Sequence, residues 1–135
     1  MKIVVIDGKG GKMGSAVIEM IVKEKSKDCE IYAIGTNGVA TSAMLKSGAD
    51  FGATGENPVV VASRDADFII APIGIVIADS LFGEVTPKMA VAVGQSKAYK
   101  ILLPVNRCNH HITGVKDYSI TEYIEEIKQI IKLHV

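Results

Sequence analysis

Short runs of consecutive apolar residues alternate along the chain with longer stretches in which apolar residues recur every three or four positions. The runs at 3–6, 30–34, 68–71 and 101–105 lack polar alternation, the mark of strands covered on both faces. A further brief strand is expected within 49–54. Helical spacing fills most of the intervals. Residues 11–25 place Met13, Ala16, Val17, Met20 and Ile21 on one face. Residues 39–47 form a short helix, with Gly48 placed to close it in the left-handed conformation. Asn57-Pro58 reads as an N-cap and first-turn proline, opening a helix over 59–64. Residues 73–82 are apolar nearly all round and predict a buried or interface helix. Thr86-Pro87 opens another helix that ends near Gly94. The last helix starts from a Ser119-x-x-Glu122 capping box and turns Ile120, Tyr123, Ile124, Ile127, Ile130 and Ile131 to one side. Strands that alternate with helices predict an α/β fold: one domain over 1–135, a doubly wound parallel sheet of about five strands in three layers. Right-handed crossovers gather the loops that follow the strands along one edge.

Composition narrows the class. The chain has 135 residues, 48% hydrophobic and 22% charged, and its 5% aromatic content leaves the core to Ile, Val, Leu, Ala and Met. Fifteen basic and fifteen acidic residues cancel, so neither nucleic acid nor an anionic membrane is an expected partner. No apolar run reaches the roughly 18 residues of a membrane span, and no charged-then-apolar leader precedes the first strand. Cys29 and Cys108 fit no C-x-x-C pattern and read as free thiols of a cytoplasmic protein.

Four glycines follow the first strand. Gly8, Gly11 and Gly14 give G-x-x-G-x-x-G, whereas Gly8-x-Gly10 starts a G-x-G-x-x-G whose third glycine place is taken by Met13. Either spacing lets backbone N–H groups approach a phosphate at a helix N-terminus, with Lys9 and Lys12 adding charge. The loop therefore reads as a cofactor site formed by Gly8, Lys9, Gly10, Gly11, Lys12, Met13 and Gly14, or as a tight turn that binds nothing. A Walker loop is excluded, because Ser15 directly follows the last glycine without the required lysine. Asp7 is expected either to brace the loop or to hold a cation, since a carboxylate beside a pyrophosphate repels it.

The second strand end lacks the acid that binds ribose hydroxyls in NAD domains. It offers Gly35-Thr36-Asn37-Gly38 instead. Thr36 and Asn37 suit a phosphate, including the 2′-phosphate of NADP, although the nearest cation is Lys46 and no arginine is close. Asn37 is also a natural N-cap for the second helix. On the substrate side, Thr54, Glu56 and Asn57 follow the third strand and Pro72 the fourth. Asn106, Arg107, Cys108, Asn109, His110 and His111 follow the fifth. Arg107 could clamp an anion, Cys108 act as a nucleophile and His110 as a general acid or base. The same loop could simply cap itself, and Cys108, His110 and His111 crowd too closely to face one metal.

The form Gly8-x-x-Gly11-x-Met13-Gly14 resembles the pyridine-nucleotide loop of dihydrodipicolinate reductases and prephenate dehydrogenases. Over nearly the full length the chain resembles an uncharacterised bacterial family of small Rossmann-like proteins, a domain of unknown function. Asp7-Gly8-x-Gly10-Gly11, Gly35-Thr36-Asn37, residues 40–45, 53–58 and 72–80, and Pro104-Val105-Asn106-Arg107-Cys108-Asn109-His110 carry that resemblance. It implies a fold and no activity. The leading expectation is a protein that binds NADP or NAD, with redox chemistry the first class to test. The chain is too short for a second substrate domain, so a homo-oligomer would supply the missing wall. A nucleotide or metabolite sensor without chemistry is the second expectation. The third is a phosphate-binding lyase or transferase, because Gly35-Thr36-Asn37-Gly38 is similar to the phosphate loop of methylglyoxal synthases.

Overall fold

Strand β1 (Lys2–Asp7) is the centre of the molecule, and its residues from Ile3 to Asp7 are all buried. The structure, a computed structural model, describes residues 1–24, 28–105, 107 and 109–134. Five parallel strands run in the order β3-β2-β1-β4-β5, where β2 is Glu30–Gly35, β3 Phe51–Thr54, β4 Phe68–Pro72 and β5 Tyr99–Leu103. The register sets Asp7 beside Gly35 and Val5 beside both Ala33 and Ile70. Alternation along β1 divides the core. Ile3 and Val5 pack with Val17, Ile18, Met44 and Ile127 on one face, and Val4 and Ile6 pack with Val59, Ile75, Met89 and Val93 on the other. The first face is covered by α1 (Lys12–Glu24), α2 (Gly38–Lys46) and α5 (Ile120–Leu133); the second by α3 (Glu56–Ser63) and α4 (Pro87–Gln95). Crossovers therefore leave β1 and β4 in opposite directions, and the crevice between their carboxyl ends is the switch point where doubly wound sheets take ligands.

The caps sit where side-chain chemistry puts them. Asn37 accepts from the Ala40 N–H, Thr86 from that of Met89 and Ser119 from that of Glu122. Gly48 has φ of +112° just beyond α2, as expected of a closing glycine. Several expectations need correction. The buried stripe of α1 is Met13, Gly14, Val17, Ile18 and Ile21, so Ile18 faces the core and Ala16 and Met20 lie at its margin. Helix α3 begins at Glu56 behind Gly55, which makes Asn57 a first-turn residue rather than the cap. Strand β5 ends at Leu103, before Pro104, whose ring nitrogen has no hydrogen to donate to a ladder.

The largest correction concerns residues 73–82, which form no α-helix. A single 3₁₀ turn, Ile73–Val76, gives way to an irregular loop. Ile75 and Leu81 enter the core, which is why the stretch reads as apolar all round. Among the described residues, no helix is long and apolar enough to cross a membrane.

Candidate functional site

Three loops meet at the switch point. The first is a tight turn after β1, closed by the Gly11 N–H donating to the Gly8 carbonyl at 2.9 Å. Within it Lys9, not Gly10, holds the left-handed conformation, with φ of +50°. Asp7 braces the turn. One carboxylate oxygen accepts from the Gly8 N–H and the other from the Gly14 N–H, each at 2.8 Å. The brace occupies two donors that a ligand phosphate would otherwise use. Burial pushes the Asp7 carboxyl above its ordinary range, and these two bonds and the Lys9 charge only partly offset that push.

The glycines separate by role. A Cβ on Gly8 would sit 2.6 Å from Thr36 Oγ1 and 2.9 Å from Leu81 Cδ1. One on Gly14 would sit 2.5 Å from Met44 Sδ and 2.9 Å from the Asp7 Cβ. Gly11, with φ of +75°, lies against the backbone of Ala40. Gly11 and Gly14 allow β1, α1 and α2 to pack, and Gly8 admits Thr36 and Leu81. Gly10 alone of the four has neither a left-handed φ nor any atom within 4 Å of an added Cβ. Its open side is where a ligand can approach the backbone.

The second loop is the end of β2. Asn37 caps α2 through Oδ1 and, through Nδ2, donates to the Lys9 carbonyl at 3.1 Å, tying the two loops together. Thr41 bonds the Thr54 hydroxyl at 2.7 Å and so fixes the end of β3.

The third loop spans residues 77–86 between β4 and α4. The Asp79 N–H donates to the Val85 carbonyl and the Val85 N–H to the Ser80 carbonyl, which closes it into a compact Ω-type loop. Asp79, Leu81, Phe82 and Gly83 all have left-handed φ, from +55° to +86°. For the three that carry a Cβ this costs on the order of 1–2 kcal/mol each. The strain is held by what the loop places. Leu81 covers Gly8, and Glu84 reaches the second strand end, where its Oε1 accepts from Asn37 Nδ2 at 2.9 Å and from Thr36 Oγ1 at 3.2 Å. A carboxylate thus reaches the end of β2 from 48 residues further along the chain.

The structure brings together Gly8, Lys9, Gly10, Gly11, Thr36, Asn37 and Glu84, with Lys12, Met13 and Gly14 in the first turn of α1. Other expected residues stand elsewhere. Pro72 is buried within the sheet, and Glu56 and Asn57 are exposed in the first turn of α3. Arg107 donates to the Pro104 carbonyl through Nε and to Asp117 through Nη2 at 2.7 Å, so its guanidinium staples the segment after β5. His110 folds back onto the Arg107 carbonyl through both its backbone N–H and Nδ1, each at 3.0 Å. Asn106 and Cys108 lie outside the described residues. Among the described residues, no cluster of His, Cys, Asp and Glu could hold a metal.

A separate cavity of about 550 Å³ runs along β5 beneath residues 112–118 and α5, lined by Ile101, Leu103, Val115, Tyr118, Tyr123 and Ile127 among others. None of the glycine-loop residues, Thr36, Asn37 or Glu84 lines it.

The family model for a domain of unknown function, DUF3842, matches residues 2–135. The chain belongs to the DUF3842 family. No curated protein matches the sequence. Among solved structures, this DUF3842 protein is similar to a dodecameric FMN-dependent Ubix-like decarboxylase from Escherichia coli O157:H7, with 16% identity and a TM-score of 0.49 over 100% of this chain and 77% of that one.

Glu84 was not legible beforehand. It lies between the helix expected over 73–82 and the Thr86-Pro87 start of the next, and no local pattern ties it to the second strand end.

Proposed function

We propose that the carboxyl edge of this sheet binds a nucleotide-type ligand whose ribose keeps its 2′-hydroxyl. The observation that carries this reading is Glu84, held against Thr36 and Asn37 at the second strand end. A carboxylate there accepts hydrogen bonds from ribose hydroxyls. Its negative charge repels a 2′-phosphate, so the weight moves from NADP, favoured by the local sequence, to NAD or another unphosphorylated ribonucleotide. The phosphate end belongs on the open side of Gly10, with Lys9, Lys12 and the first turn of α1. Because Asp7 takes the Gly8 and Gly14 N–H groups, the phosphate meets fewer backbone donors than a dinucleotide loop normally offers. Binding is the function supported here. Arg107 and His110 are engaged within their own segment, which favours a nucleotide sensor over catalysis at that loop.

Thermal melting with AMP, NAD, NADP, ribose 5-phosphate and inorganic phosphate tests the reading. AMP and NAD are expected to raise the midpoint, by about 2.7 kcal/mol of stabilisation at a hundredfold excess over Kd, and NADP to raise it less. Glu84→Gln should remove the discrimination against NADP. Stabilisation by sugar phosphate or phosphate with none by any nucleotide would overturn the proposal and favour a phosphate-binding lyase or transferase.

A further inference from the structure

Phe82 is fully exposed, at 103% of its reference area, whereas Leu81 and Val85 of the same loop are buried. The other six aromatic residues of the chain lie in ring pairs: Tyr32 with Phe51, Phe68 with Tyr99, and Tyr118 with Tyr123. Phe82 belongs to none of these pairs and is the most exposed of the seven. It is not left on a loose segment. The Gly83 N–H donates to the Asp79 carbonyl and the Glu84 N–H to the Leu81 carbonyl, so the turn that carries the ring is closed on both sides of it. Its neighbours are anchored at the candidate site, Leu81 over Gly8 and Glu84 on Thr36 and Asn37. Two peptide units separate Phe82 from Glu84, which keeps their Cα atoms within about 7.6 Å.

We infer that Phe82 is the base-stacking residue of this site: its ring closes over the planar heterocycle of a nucleotide whose ribose is held at Glu84, an inference that rests on the nucleotide reading above. The chemistry fits in three respects. A phenyl face stacks on any nucleobase and needs no hydrogen-bond match. The ring is already held out by a rigid loop, so little conformational freedom is lost when a base covers it. Across the left-handed backbone at Leu81 and Phe82, one side chain is buried and the next stands in solvent. A second copy of the chain is a poorer occupant. A stable interface needs about 800 Å² from each partner, whereas one phenylalanine supplies about 150–250 Å².

The chain contains no tryptophan, so Phe82→Trp installs a single fluorescent reporter that preserves stacking. Affinities for AMP and ribose 5-phosphate are measured by calorimetry on wild type, Phe82→Ala and Phe82→Trp, with Glu84→Gln alongside. Phe82→Ala is expected to weaken AMP about 5- to 150-fold and to leave ribose 5-phosphate within about twofold. Phe82→Trp should retain AMP and have its emission quenched by it. If Glu84→Gln weakens AMP but Phe82→Ala does not, the stacking role is overturned while the nucleotide reading stands. If wild type binds no nucleotide, that reading fails and takes this inference with it. A sedimentation shift on Phe82→Ala with AMP affinity unchanged would likewise overturn it, in favour of a second copy as the occupant.

Discussion

Gly10 and Gly11 are adjacent, chemically identical and exchangeable for alanine, yet the structure gives them opposite tasks. At Gly11 an alanine must adopt φ of +75° with its Cβ 2.8 Å from the Ala40 carbonyl oxygen and 2.9 Å from its Cα. Both obstacles are backbone, so no side chain can rotate away. The left-handed conformation costs about 1–2 kcal/mol and the overpacking about 1–3 kcal/mol. The stiffer unfolded chain returns only about 0.4–1 kcal/mol. Gly11→Ala should therefore destabilise by about 3 kcal/mol, a large part of the ~5–15 kcal/mol of an ordinary domain, and lower the melting midpoint by roughly 10 °C. At Gly10 none of these costs arises. Gly10→Ala should melt within about 2 °C of wild type or slightly above it. Its effect belongs to the ligand, because the new methyl occupies the open side on which a phosphate would approach, and nucleotide affinity should fall about tenfold or more. Calorimetric melting of both variants, with and without AMP, checks the pair. A Gly11→Ala protein as stable as wild type would refute the packing argument. A stable Gly10→Ala protein that binds AMP as wild type does would refute the role given to the open side.

Asp7→Asn keeps the shape but points an amide NH₂ at one of two backbone N–H donors, and should cost about 1–3 kcal/mol in urea denaturation. Burial raises the Asp7 carboxyl above its ordinary value of 3.8, so its stabilising contribution is complete below that value and is lost as pH rises through the folded-state value. The wild-type advantage over Asp7→Asn should accordingly shrink from about pH 3 toward neutrality; an advantage that grows would contradict the burial argument. Glu84→Gln retains Oε1 as the acceptor for Asn37 and Thr36, so its unfolding free energy should stay within about 1 kcal/mol of wild type, while AMP affinity falls by the ~1.5–3 kcal/mol of a charged hydrogen bond. Ser119→Ala removes the side-chain cap of α5 and should cost about 0.5–2 kcal/mol. Asp117 is 93% exposed in its pair with Arg107, so Asp117→Asn should change stability by less than about 1 kcal/mol, and a larger loss would assign the staple a greater structural part than its exposure allows.

What could be read from sequence was what is local and periodic. The continuous run of β1 and the caps at Asn37, Thr86 and Ser119 each depend on residues within four positions, and each stands where expected. Residues 73–82 misled because periodicity cannot tell a helix buried all round from a chain that threads the core irregularly. Ile75 and Leu81 are buried by tertiary packing, not by a helical face. The glycines showed that a side chain was forbidden, but not by what. For Gly8 and Gly14 the answers are Leu81, Thr36, Met44 and Asp7, which only the folded chain brings near. The acid at the second strand end was out of reach for the same reason: Glu84 joins Thr36 across 48 residues of sequence.

On the proposed reading, the same facts would let the edge hold both ends of a nucleotide although neither motif is complete. In a dinucleotide loop the helix N-terminus carries the phosphate and the second strand carries the acid for the ribose. Here the charge at the first position is internal. Asp7 satisfies the Gly8 and Gly14 N–H groups and holds the turn rigid without a ligand. The acid at the second position is borrowed from the loop after β4, whose strained backbone is offset by burying Leu81 and Val85. Both substitutions stiffen the unliganded site. A phosphate on Lys9 and Lys12 then contributes modestly, since exposed charges are screened by salt. On the proposed reading, Glu84 and Phe82 would then supply most of the affinity. On the nucleotide reading proposed above, a site built this way would select for sugar and base over phosphate, so nucleotides with a free 2′-hydroxyl should bind in preference to phosphate esters in general.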